Sequence, residues 1–262
     1  MTRPALRAIA GELERELRAA GTQERAVKEK AYLKSSLEHA GTPLPAIRAS
    51  GKRVRRDHPD LDAHAVLALA GELWTVPLHE RRMVAVGLLE HYADRLGPGE
   101  LTRIEPFLRD SHTWALIDGL SGDVAARIAA RHPSDELVDS ILRRWAVDVD
   151  FWVRRSALLA HLRTLRRGGS FDGWSRFTDI ADGMLDEREF FIRKAIGWVL
   201  REAGKARPDL VATWLAPRVG RLSGVTLREA VRYLAEPDRA SLMQAYSVRM
   251  SSGRGAPSHR KP

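Results

Sequence analysis

A 38-residue period is the feature that most constrains how this chain can fold. Asp110, Asp148 and Asp186 stand 38 residues apart, and each is followed four residues later by an aromatic: Trp114, Trp152 and Phe190. The two later copies align further, with Trp152-Val153-Arg154-Arg155-Ser156-Ala157-Leu158 set against Phe190-Phe191-Ile192-Arg193-Lys194-Ala195-Ile196. A period of this size marks an array of small units, none of which can bury its apolar face without stacking on a neighbour.

The units are helical. Apolar residues recur at helical spacing over about 4–19, 22–40, 44–56, 60–73, 78–95, 99–109, 112–131, 134–146, 149–165, 171–185, 187–206, 208–219 and 223–236. Gly and Pro signals punctuate these segments, at Gly21, Gly41-Thr42-Pro43, Pro59, Pro77, Gly97-Pro98, Pro133, Gly168-Gly169, Pro208 and Gly220. No pair of alternating segments joined by a tight Asn-Gly or Asp-Gly turn is present. Helix pairs of about 38 residues match a HEAT-type unit. The expected fold is therefore all-α, a right-handed α-solenoid of HEAT-like repeats with a concave basic surface. One such domain is expected over residues 1–238.

Charge bears on what that surface meets. The 262 residues carry a net charge of +9, with 36 Arg against 7 Lys. A polyanionic partner would account for the excess, and so would a genome composition that enriches Arg and Ala together. The last acid is Asp238, so 239–262 reads as a basic, disordered tail. The chain has no cysteine, which removes disulfides, thiolate metal sites and a cysteine nucleophile. No long uncharged apolar run and no secretory leader are evident, so no membrane partner and a cytoplasmic setting are expected.

A few side chains stand off the apolar faces. In the helix read over Phe190–Glu202, Ile192, Ile196, Val199 and Ala203 form the buried stripe. Lys194, Trp198, Arg201 and Lys205 fall on the opposite side. An indole among cations can meet a sugar or base while its neighbours meet phosphates, or it can pack on another helix. Trp114 and Asp118 are four apart and share a face. A carboxylate there can stabilise a developing cation or activate water, and it can equally be a solvated or ion-paired aspartate. Arg155 lies with Leu158, Leu159 and Leu162 and needs an acid or a phosphate. Asp118, one repeat earlier, is a candidate partner. Tyr32 sits among Lys28, Lys30 and Lys34, either facing DNA or packing on a helix. No phosphate loop, dinucleotide fingerprint or HExxH occurs, and the nine histidines show no ligand spacing, so neither metal nor cofactor is expected.

Taken together, Tyr32-Leu33-Lys34, Gly71-Glu72-Leu73-Trp74, Ser111-His112-Thr113-Trp114-Ala115-Leu116-Ile117-Asp118, Trp152-Val153-Arg154-Arg155-Ser156-Ala157 and Phe190–Glu202 resemble the AlkD-like bacterial DNA alkylation-repair glycosylases, over roughly residues 5–235. The resemblance implies a HEAT-like solenoid that cradles double-stranded DNA. It implies excision of cationic N3- and N7-alkylated purines, such as 3-methyladenine and 7-methylguanine, without extrusion of the base. Asp118 would be the catalytic carboxylate, and Trp114 and Trp198 the walls against the deoxyribose. Arg155 would hold the DNA backbone and the geometry near Asp118. Tyr32, Arg193, Lys194 and Arg201 would meet DNA. Thr113 departs from the family, which often carries a second aromatic there. A monomer is expected, since a solenoid on a duplex needs no second copy. The alternative is a non-catalytic HEAT-repeat protein that binds bent or branched DNA.

Overall fold

A computed structural model describes residues 1–252. Every regular element among them is a helix; one isolated parallel bridge joins Glu38 to Leu78. No helix among them is long and apolar enough to cross a membrane. The described residues group into two compact units, Met1–Ala160 and a second that begins at His161.

The first unit holds α1 (Arg3–Ala20), α2 (Gln23–Leu33), α3 (Leu44–Asp57), α4 (Ala63–Trp74), α5 (His79–His91), α6 (Glu100–Arg109), α7 (Trp114–Asp118), α8 (Ala126–Arg131), α9 (Glu136–Ala146) and α10 (Phe151–Leu159). A π-helical segment, Gly119–Ala125, joins α7 to α8. The elements pack on near neighbours in sequence: α5 against α3, α4 and the π segment, and α10 against α9, α7, α6 and the π segment. Leu69, Leu73, Leu88, Leu89, Leu120, Val124, Trp145 and Val153 are wholly buried there.

The second unit holds α11 (Leu162–Leu165), α12 (Trp174–Gly183), α13 (Phe190–Gly204), α14 (Pro208–Leu215), α15 (Gly224–Ala230) and α16 (Glu236–Ser252). Its centre is α13, packed on α11, α14 and α15. The four expected stripe residues Ile192, Ile196, Val199 and Ala203 are all buried.

Side-chain caps explain several helix starts. Asp62 accepts from the Ala65 amide, Asp135 from Leu137 and Val138, Asp150 from Trp152, and Glu189 from Phe191. Each oxygen meets amides that a first helical turn leaves unpaired. The period is visible as local structure. Asp110, Asp148 and Asp186 each fall in the turn before α7, α10 and α13, and each is salt-bridged to an arginine: Arg82 at 2.7 Å, Arg109 at 2.6 Å and Arg221 at 2.7 Å.

Three expected segments differ. The helix read over 22–40 stops at Leu33, because Lys34 turns left-handed at φ 50° and its amide caps the helix. The segment that follows is pinned instead as an extended strap, with Glu38 bonded to Pro77 and His79. The helix read over 112–131 is interrupted by the π segment. The tail expected from residue 239 is helical as far as Ser252. Glu236 and Asp238 suit the positive end of α16, Leu242 is buried, and Arg249 donates to the Val219 and Gly220 carbonyls. The rest of that tail, 253–262, lies outside the described residues.

Candidate active site

The site in the first unit begins with the turn that enters α7. Arg82 of α5 donates to the Asp110 carbonyl at 2.6 Å and pairs with its carboxylate, and the Trp74 indole donates to the same carboxylate at 3.0 Å. The guanidinium also lies 4.9 Å from the Trp74 ring centre. Burial pushes the Arg82 pKa down, and Asp110 opposes that shift. His112 then takes a left-handed φ of 50°, and Thr113 is extended, so the chain turns into α7 with Trp114 as its first residue.

One helical turn on stands Asp118. Arg155, projecting from α10, donates from Nε at 2.9 Å and from Nη2 at 2.8 Å, both to Oδ1 of Asp118. The two partners differ in exposure. The arginine side chain is 2% exposed and the aspartate 20%. The guanidinium is thus withdrawn from solvent, and the carboxylate is its outward neighbour. Beside them the Ser121 hydroxyl donates to Ser156, which donates to the Trp152 carbonyl, locking the π segment to α10. Gly119 permits a close approach: a Cβ there would come 2.6 Å from Val86 of α5.

Tyr32, at the end of α2, is 73% exposed. Its ring meets Trp114 edge to face, at 6.0 Å between centres and 85° between planes. The first unit therefore gathers Tyr32, Trp114, Asp118 and Arg155. A pair of aromatic rings, one of them a helical turn before a carboxylate fixed by a buried cation, is an arrangement suited to a substrate with positive charge and an apolar or sugar face. The Arg155 guanidinium is turned toward Asp118 and lies almost wholly out of solvent. The Thr113 hydroxyl is buried with no hydrogen-bond partner among the described residues.

The remaining expected residues stand on α13 in the second unit. Trp198 is half-buried and Lys194 is exposed, its ammonium 5.9 Å from the Phe190 ring centre. Arg193 donates to the Glu187 carbonyl at 2.6 Å. Arg201 is bonded to Glu229, and Lys205 reaches Glu202 at 2.7 Å. The cations expected beside Trp198 thus have acids among them, one on α13 itself and one on α15.

Sequence reasoning missed the Arg82–Asp110–Trp74 clamp. Asp110 was marked by the period, but its partners stand 28 and 36 residues earlier, in helices whose own pattern explains them as core.

A solved structure described as a predicted DNA alkylation repair enzyme from Enterococcus faecalis superposes with a TM-score of 0.73 at 24% identity, covering 82% of this chain and 97% of that one. That likeness speaks for the all-α fold. A leucine--tRNA ligase from Synechococcus sp. (strain RCC307) is 30% identical over 136 residues, 52% of this chain. The match spans only 13% of that relative's length, so the ligase activity belongs to a far longer protein. The family model described as DNA alkylation repair enzyme matches residues 13–234, and the chain belongs to that family.

Proposed function

We propose that the protein is a DNA glycosylase that hydrolyses the N-glycosidic bond of cationic N3- and N7-alkylated purines in duplex DNA. The observation that carries this reading is the Asp118 carboxylate, fixed by buried Arg155 one helical turn after Trp114, whose ring meets Tyr32 edge to face.

The chemistry asks little of the protein. Alkylation at N3 or N7 makes the purine a cation and a good leaving group. Its bond to C1′ breaks with both electrons passing to the purine, which leaves as a neutral base. The sugar takes on oxocarbenium character, which the Asp118 carboxylate and the Trp114 indole face stabilise. A water then adds at C1′ and gives its proton to Asp118 or to solvent. The role of Arg155 is to hold Asp118 oriented; it is a positioning residue. With the leaving group already activated, base extrusion is unnecessary, in contrast to enzymes that must reach into the stack.

Trp198 and Lys194 meet the DNA from α13 in this reading, and the protein acts as a cytoplasmic monomer without a cofactor. Arg193 and Arg201 contribute less than the sequence suggested, because each already serves a protein acceptor. The alternative, a DNA-binding protein without activity, is favoured by one observation: the Asp118–Arg155 pair would also serve as a purely structural ion pair.

The deciding experiment is release of 7-methylguanine and 3-methyladenine from methylated duplex DNA. The unmodified protein releases base and Asp118→Asn does not, while both bind the duplex alike. Absence of release by the unmodified protein would reject the glycosylase reading.

A further inference from the structure

A second cluster, built from other residues, lies where α2, the strap 34–43 and the start of α5 meet. Glu29, His39 and Glu80 each offer one ligand atom, and the three atoms lie within 4.8 Å of one another. The sequence gives no hint of it, since the ligands are 10 and 41 residues apart and none belongs to a recognised spacing.

The three residues differ in what already satisfies them. Glu80 is wholly buried, and its carboxylate accepts the amides of Ala40, Gly41 and Thr42 at 3.0, 2.7 and 3.3 Å. Those amides explain its burial. They also leave Oε2, which takes only the Ala40 amide, with a second lone pair. Glu29 is half-buried and pairs with Arg25 one turn earlier, at 2.6 Å.

His39 has no such explanation. It is 8% exposed, yet neither Nδ1 nor Nε2 has a hydrogen-bond partner among the described residues. Among the described residues its only ring contact is with His79, stacked at 4.5 Å with planes 12° apart. A neutral imidazole carries one donor and one acceptor. Burying both unmet costs on the order of 1–3 kcal/mol each. A ligand on one nitrogen removes part of that cost.

We propose that Glu29, His39 and Glu80 bind one divalent transition-metal cation of the zinc class. One imidazole and two carboxylates, with no thiolate in the chain, are a nitrogen–oxygen donor set that suits zinc, manganese, iron or cobalt. Two carboxylates also balance the charge of a divalent ion. At tetrahedral angles and bond lengths near 2.1 Å the ligand atoms would stand about 3.4 Å apart. Half-exposed Glu29 can close the difference by sharing its contact with Arg25. The other two ligands are held by rigid backbone. Gly41 has φ 75°, and a Cβ on it would overlap the Thr22 carbonyl at 2.1 Å. The Thr42 hydroxyl is bonded to the Leu17 carbonyl at 2.6 Å. The amides on Glu80 and the guanidinium on Glu29 are the outer contacts that orient ligands at metal sites. The ion would clip α2 to the strap and to α5, and α2 carries Tyr32.

The test uses the full-length protein stripped with a chelator. Zinc, titrated against a chromophoric competitor, binds with a stoichiometry of about one and raises the melting temperature, since the ion binds only the folded chain. His39→Gln and Glu29→Gln each weaken binding by at least about tenfold. The exposed His64→Gln leaves it unchanged. Cobalt gives a visible absorption band with the unmodified protein and not with His39→Gln. Glu29→Gln removes only a half-exposed group and folds normally, so the test survives a folding defect at His39. The proposal stands only if both ligand variants lose binding. Absence of stoichiometric uptake, or uptake undiminished in either variant, overturns it.

Discussion

Arg155 gives both Nε and Nη2 to the same oxygen of Asp118, while the guanidinium itself is almost wholly out of solvent. Geometry of this kind fixes the direction of a carboxylate as well as its charge. Arg155→Lys keeps the charge but loses the fork. It is expected to lower the rate of base release by at least about tenfold while leaving affinity for unmodified duplex unchanged, as read by fluorescence anisotropy beside the excision assay. Equal loss of both would show that Arg155 holds DNA and not Asp118.

Stability follows the same asymmetry of exposure. Asp118→Ala removes the carboxylate that accepts two hydrogen bonds from a buried guanidinium and should cost about 3 kcal/mol. Arg155→Met leaves the aspartate at a position where water can reach it and fills the vacated space with an apolar stem. Urea unfolding of both variants should rank Asp118→Ala as the more destabilised.

Tyr32 is exposed and touches Trp114 only edge on, so it contributes little to folding. Tyr32→Ala should change stability by less than about 0.5 kcal/mol. It should nevertheless weaken binding to duplex DNA, whereas Tyr32→Phe keeps the ring and most of the affinity. A thermal melt paired with a binding titration separates the two effects.

The second unit has a packing constraint at Gly197, where α13 and α15 meet. A Cβ there would approach the Thr226 carbonyl at 2.9 Å and the Glu229 Cβ at 2.8 Å. Backbone cannot give way as a flexible side chain does. Gly197→Ala should therefore destabilise the protein by about 1–3 kcal/mol despite the better helix propensity of alanine. An unchanged or raised melting temperature would contradict this close approach.

Acid sensitivity should come in part from Asp148. Its hydrogen bonds to Arg109 hold the carboxyl below its ordinary value of 3.8, with burial opposing. A depressed folded-state pKa means the unfolded chain takes up the proton first. The stabilisation is therefore complete above the unfolded value and is lost as pH falls through the folded one. Arg109 is 41% exposed, so solvent screening keeps the effect below about 1 kcal/mol. Asp148→Asn should flatten the acid limb of stability against pH, measured by urea unfolding from about pH 7 down to pH 3.

Much of the helical content could be read from apolar spacing and from Gly and Pro breaks, because both are local signals. The α13 stripe is one case, with Ile192, Ile196, Val199 and Ala203 all buried. The pairing of Arg155 with Asp118 was open to reasoning for a different cause: a cation among leucines requires an anion, and the period supplied one. What stayed hidden depends on long-range geometry. Nothing local marks Lys34 as the left-handed end of α2, nor links Glu229 to Arg201, nor brings Glu29, His39 and Glu80 together. Each of those depends on where a distant element comes to rest.

The π segment Gly119–Ala125 carries a consequence for how the chain tolerates insertion and deletion. An α-helix advances about 100° per residue, so a π turn amounts to one extra residue accommodated without breaking the helical rod. Upstream of it, α7 aims Trp114 and Asp118 away from the core; downstream, α8 turns Ile128 and Ala129 inward. Removing a single residue between 119 and 125 would let the rod relax to regular α geometry and rotate one half against the other by about a quarter turn. The core would have to choose which half to keep. The segment thus acts as a phase adjuster, letting one continuous helix keep Leu116 and Ile117 ahead of it and Ile128 and Ala129 behind it in the core while Trp114 and Asp118 stand off that face.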